Sequence, residues 1–121
     1  MAKQILIVDD DEMVLMALQE LLKPEGYEID AVSRGVEALK KLDDNDYDLL
    51  MLDVIMPEMD GFELCRRIRE KEIYKETPIV FLTAKSREED RGQGLDAGAN
   101  LFLSKPISPD KLLAIVSDTL G

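Results

Sequence analysis

The chain has no histidine, one cysteine and only 15 basic residues against 26 acidic ones among its 121 positions. Each shortage removes a class of function. Without histidine, Cys65 lacks the base that usually activates a thiol nucleophile. Standing alone it cannot close an internal disulfide. Its helical spacing with Phe62 and Ile68 assigns it to the core. The formal net charge of -11 repels nucleic acid and anionic membranes. The densest basic cluster, Arg66, Arg67, Arg69 and Lys71, is interleaved with Glu70 and Glu72 and reads as a solvated helix end. No apolar run approaches membrane-spanning length and no signal-peptide pattern opens at Met1, which together predict a cytoplasmic protein.

What is present suffices for a packed domain. With 45% hydrophobic and 34% charged residues, the chain can bury enough apolar surface to offset its conformational entropy. No repeat, low-complexity segment or linker interrupts it, so one domain over residues 1–121 is expected, with nothing left over for an output module.

Short apolar runs at Ile5–Val8, Leu49–Leu52, Ile79–Leu82 and Leu101–Leu103 alternate with segments of helical periodicity, the pattern of repeated βα units around a parallel sheet. The runs at 5–8, 49–52 and 79–82 are continuously apolar, as central strands covered on both faces require. Tyr27–Val32 alternates apolar and acidic residues, as an edge strand does. The first helix presents Val14, Ala17, Leu18, Leu21 and Leu22 and stops at Pro24 and Gly26. A second helix runs from Ser33 or Arg34 through Leu42 with Val36 and Leu39 inward, and a third from Gly61 through about Arg69. A capping box at Ser86-Arg87-Glu88-Glu89 opens a fourth. Gly92 and Gly94 weaken that helix, which has few apolar anchors before Leu95. Ser108 with Pro109 opens a fifth.

In an open doubly wound sheet, ligands sit at the carboxyl ends of the strands. Here those ends are polar: Asp9, Asp10 and Asp11 after the first strand, Asp53 after the third, Thr83 after the fourth and Lys105 after the fifth. Asp11 is suited to cap the first helix, leaving Asp9, Asp10 and Asp53. Carboxylates held that close repel unless a cation joins them. An all-oxygen set fits Mg²⁺, whereas Asp60-Gly61 lacks the glutamate a calcium loop needs and reads as a turn opening a helix.

Ile5-Leu6-Ile7-Val8-Asp9-Asp10, Tyr47-Asp48-Leu49-Leu50-Met51-Leu52-Asp53, Met56-Pro57 with Asp60-Gly61, Thr83-Ala84 and Lys105-Pro106 together resemble the response-regulator receiver family, CheY-like, over the whole chain. The resemblance implies a flavodoxin-like α/β fold: a five-stranded parallel sheet, order 2-1-3-4-5, with helices on both faces. It makes Asp53 the phosphoacceptor, with Asp10 a direct Mg²⁺ ligand, Asp9 a ligand through water and the Ile55 carbonyl a further ligand. It gives Lys105 and Thr83 catalytic roles, pairs Thr83 with Phe102 as a switch, and implies a cis Lys105-Pro106 bond.

The implied partners are a histidine kinase or phosphotransfer protein and a downstream protein target reached through the fourth helix, fifth strand and fifth helix. No nucleic acid or membrane partner is expected, and the state is a monomer or a weak phosphorylation-dependent dimer. Such a switch catalyses only its own phosphorylation and dephosphorylation. Met13 and Met16 fall off the core-facing stripe beside the acidic mouth, which suggests a docking patch for the phosphodonor. Apolar Ile55 is expected to hinder water and prolong the phosphorylated state. The alternative is a Mg²⁺-dependent phosphohydrolase with an aspartyl-phosphate intermediate, built on Asp9, Asp11, Thr83 and Lys105. It leaves Asp53 without a place and 121 residues without room for a cap domain.

Overall fold

In the computed structural model, which describes residues 2–121, five parallel strands form one sheet: β1 (Gln4–Val8), β2 (Glu28–Val32), β3 (Leu49–Leu52), β4 (Ile79–Thr83) and β5 (Leu101–Ser104). Their order is β2-β1-β3-β4-β5. The continuously apolar runs are indeed the three inner strands, buried on both faces as parallel crossovers require. Alternation along them feeds two cores. Ile5, Ile7, Leu49, Met51, Val80 and Leu82 pack on one side, and Leu6, Val8, Leu50, Leu52, Ile79 and Phe81 on the other.

The first side is covered by α1 (Glu12–Leu22) and α5 (Pro109–Leu120), the second by α2 (Gly35–Asp44), α3 (Gly61–Arg69) and α4 (Glu88–Ala97). On α1 the buried stripe is Leu15, Leu18 and Leu22, with Val14 and Leu21 half-buried. Ala17, expected inward, is exposed because the stripe is rotated towards the larger Leu15. Val36, also expected inward, points to solvent. Gly35 occupies the inward position of that turn, against Met59, and Ala38 and Leu42 continue the face.

The fourth helix starts one residue later than the capping box suggests. Its cap is Arg87, whose N–H donates to the Asp90 carboxylate at 3.1 Å. Leu95 is exposed, so Asp90, Gly94 and Ala97 are all that α4 buries. Such thin burial supports the expectation of a weakly held element. Ser108 caps α5 by accepting from the Lys111 N–H at 3.2 Å. The Lys105-Pro106 bond is cis.

Arg69 departs from the solvated reading given to its cluster. Its guanidinium donates to the carbonyls of Tyr74, Thr77 and Gly98 and to Asn100 Oδ1, all within 2.9 Å. It ties the end of α3 to the entries of β4 and β5. On the edge strand, Asp30 is likewise engaged, accepting from the Tyr47 hydroxyl at 2.6 Å. Among the described residues no helix is long and apolar enough to cross a membrane.

Candidate functional site

Register places the acids. Val8 of β1 lies beside Leu52 of β3, so Asp9 and Asp53, each the next residue, emerge side by side. The Asp53 N–H donates to the Val8 carbonyl at 2.9 Å and locks that alignment. Oxygens of Asp9, Asp10 and Asp53 all lie within 4.8 Å of one another. Asp9 and Asp53 are buried while Asp10 is exposed at the mouth. Asp11 spends its carboxylate on the α1 cap, accepting from the Met13 N–H at 2.9 Å.

The loop after β3 holds Asp53 from behind. Oδ1 accepts from the Val54 N–H at 2.7 Å and the Ile55 N–H at 3.4 Å. Gly61 opens α3 so close to this loop that a Cβ there would run into the Asp53 carbonyl. Only glycine fits, because the obstacle is backbone and cannot rotate away.

Lys105 completes the cluster from the end of β5. Its own N–H donates to the Thr83 carbonyl at 2.8 Å. Its ammonium then reaches Asp9 Oδ2 at 2.6 Å and Asp53 Oδ2 at 3.1 Å. Burial raises the Asp9 carboxyl above its ordinary value, and the nearby Asp53 charge adds to that against the lowering hydrogen bonds of Lys105 and Asp11. Burial alone would depress Lys105, but its hydrogen bond to Asp9 and the charges of Asp53 and Asp9 outweigh it and raise the ammonium. The lysine therefore stays charged, offsetting one of three negative charges.

Thr83 is fully buried at the end of β4, its hydroxyl accepting from the Lys85 N–H at 3.2 Å. Phe81 pairs with Phe102 and Thr83 with Ser104, which puts Thr83 and Phe102 on the same face of the sheet. Phe102 is inward, 5% exposed, with its ring centroid 5.6 Å from that of Phe81. Ile55 is 57% exposed and Met13 79% exposed, one on the loop after Asp53 and the other on the first turn of α1.

Two residues of the region escaped sequence reasoning. Asp90 is buried in the first turn of α4, 3.9 Å from the Lys85 ammonium. Arg91 donates to the Phe102 carbonyl at 3.0 Å. Nothing local marks either, since charged residues in a first helical turn read as solvated.

A trio of carboxylates only partly balanced by one ammonium, with no histidine or cysteine among them, is a donor set for a hard divalent cation and fits Mg²⁺. A backbone-braced carboxylate beside a fixed ammonium is suited to attack a phosphoryl group whose oxygens that ammonium can neutralise.

Comparison with known proteins agrees with this geometry. The response regulator receiver domain pattern matches residues 5–117. The alkaline phosphatase synthesis transcriptional regulatory protein PhoP of Bacillus subtilis is 42% identical over 120 residues, covering 99% of this chain and 49% of that protein. The chain thus spans about half the length of the curated relatives it matches. Among solved structures, Vibrio cholerae chemotaxis protein CheY4 superposes with a TM-score of 0.95 at 34% identity, covering 99% of this chain and 100% of that one. The receiver domain of sensor histidine kinase PA1611 of Pseudomonas aeruginosa, solved with a magnesium ion coordinated in its active site cleft, gives 0.92 at 30% identity, covering 100% and 99%.

Proposed function

The chain belongs to the response regulator receiver domain family, phosphoryl-accepting modules of two-component signalling, and from that premise we propose that Asp53 is the residue that takes the phosphoryl group. The observation that carries this reading is the shared ammonium: Lys105 bonds Asp9 and Asp53 at once. A carboxylate oxygen of Asp53 attacks the phosphorus of a phosphohistidine on a kinase or phosphotransfer protein. The phosphorus–nitrogen bond breaks, the imidazole leaves and takes up a proton, and an acyl phosphate remains.

Receiver domains bind Mg²⁺ in an acidic pocket. In this chain Asp9, Asp10, Asp53 and the Ile55 carbonyl would hold it, and once bound it supplies positive charge against the phosphoryl oxygens. Lys105 contributes a second positive charge and keeps Asp9 and Asp53 oriented. The Val54 and Ile55 N–H groups hold Asp53 Oδ1, fixing the plane of the attacking carboxylate. Thr83 offers its hydroxyl to a phosphoryl oxygen, and Phe102 responds as the second half of the switch, remodelling the surface of α4, β5 and α5 that a downstream protein reads. The chain then catalyses nothing beyond its own phosphorylation and dephosphorylation.

The exposed side chains of Met13 and Met16 form the patch on which the donor docks, and exposed Ile55 shields the acyl phosphate from water. The reading extends to one domain over residues 1–121, a cytoplasmic location, and a monomer or weak phosphorylation-dependent dimer.

Incubation with radiolabelled acetyl phosphate and Mg²⁺ tests it. The expected result is label approaching one phosphoryl group per chain, lost in Asp53→Asn. Continuous turnover of small phosphoesters without a protein-bound label would overturn it in favour of a hydrolase.

A further inference from the structure

Phe102 has no hydroxyl, so no hydrogen bond from its own side chain can hold its ring inward. The structure supplies another restraint. The Arg91 guanidinium carbon lies 5.6 Å from the Phe102 ring centroid, within cation–π range. One arm donates to the Phe102 carbonyl at 3.0 Å and the other reaches Ser104 Oγ at 3.5 Å. In a chain with 26 acidic residues and 15 basic ones, Arg91 makes no salt bridge among the described residues, and bonds to neutral groups of β5 instead.

A second, independent feature converges on the same ring. Gly94, one turn further along α4, is buried against it, and a Cβ there would come within 2.8 Å of a Phe102 ring carbon. Of the two glycines that cost α4 helix propensity, Gly94 is thus the one that makes room for the aromatic. Arg91 above and Gly94 beside form a seat on α4, and Phe81 closes it from β4.

We infer that Arg91 is a positioning residue that clamps the Phe102 ring in this inward seat and so couples the first half of α4 to β5. Because α4 buries so little of its own surface, the clamp is a principal tie between helix and strand. Its effect on phosphorylation rests on the switch reading above, taken with the ring filling, inward, the space that the Thr83 hydroxyl leaves when it moves to the phosphoryl group on Asp53. A site whose competent state is only partly populated binds more weakly in proportion, and the coupling runs equally in both directions. The clamp therefore raises the affinity of Asp53 for a phosphoryl group by holding the ring where phosphorylation needs it.

Nuclear magnetic resonance on the whole chain tests this, with beryllofluoride and Mg²⁺ as the phosphoryl mimic. In the untreated protein, nuclear Overhauser contacts should join the Phe102 ring to the Gly94 α-protons. Arg91→Ala should weaken them by about half or more, and beryllofluoride affinity should fall about three- to fivefold, as loss of a cation–π contact and a hydrogen bond implies. Gly94→Ala should displace the ring and lower the affinity similarly, although it changes no charge and favours the helix. Unchanged ring contacts in Arg91→Ala would overturn the clamp. Failure of the switch reading shows separately: beryllofluoride should restore the weakened ring contacts of Arg91→Ala, whereas without the switch it would leave them weakened and affinity would be the same in all three proteins.

Discussion

Lys105 Nζ lies 2.6 Å from Asp9 Oδ2 although 96 positions of sequence separate the two residues. The pairing joins the ends of β1 and β5, which are not neighbours in the sheet, above the intervening ends of β3 and β4. One ammonium thus balances part of a carboxylate cluster that would otherwise be held together against its own repulsion.

On the proposed function, removing that ammonium should have opposite effects on metal binding and on phosphorylation. Lys105→Ala deepens the negative potential of the pocket and should tighten Mg²⁺ about fivefold, roughly 1 kcal/mol of relieved competition. The same variant loses a charge that the transferred phosphoryl group needs, and labelling by acetyl phosphate should slow by about tenfold or more. Titration calorimetry and labelling kinetics on one preparation read the two signs. Parallel weakening of both would show that Lys105 merely maintains the fold.

Arg69 should be far more sensitive than its neighbours. Its fork satisfies the carbonyls of Tyr74, Thr77 and Gly98 together with Asn100. Arg69→Ala leaves those acceptors without a partner and should cost about 2–4 kcal/mol in urea unfolding. Arg66→Ala and Arg67→Ala, on the exposed side of the same helix, should each stay within about 0.5 kcal/mol of wild type.

Cys65 gives a pH signature. Burial pushes its thiol up to about 11 from an ordinary 9.0. Between those values the unfolded chain releases the proton and the folded chain keeps it, so stability is intact below about pH 9 and declines as pH rises towards 11. The cysteine's share should integrate to about 2–3 kcal/mol and appear as the difference between wild type and Cys65→Ala, in which Tyr47 and Tyr74, also raised by burial, still contribute. In the native protein near pH 7 the thiol should resist iodoacetamide and react only on unfolding.

The parts legible in the sequence are those where one physical constraint acts alone. Central strands of a parallel sheet must be apolar on both faces, so Ile5–Val8, Leu49–Leu52 and Ile79–Leu82 announced themselves, and the first polar residue after each marked the pocket wall. Asp9, Asp10, Asp53 and Lys105 could be assembled because strand ends converge whatever their side chains do. Residues whose partners lie far along the chain stayed hidden. Arg69 bonds a carbonyl 29 positions away and Arg91 one 11 positions away, and nothing beside either in the sequence marks its partner. Val36 and Ala17 misled for a different reason. Helical periodicity locates a face only to within about a residue, and on α2 it is Gly35, packed on Met59, that turns inward.

The most direct test of the central claim is to map the phosphoryl label after reaction with acetyl phosphate, with and without Mg²⁺, by mass spectrometry of the proteolysed chain. The account predicts one modified residue, Asp53, and modification that depends on the metal and disappears in Asp10→Asn. Label on another residue, or on Asp53 at the same rate without Mg²⁺, would contradict it.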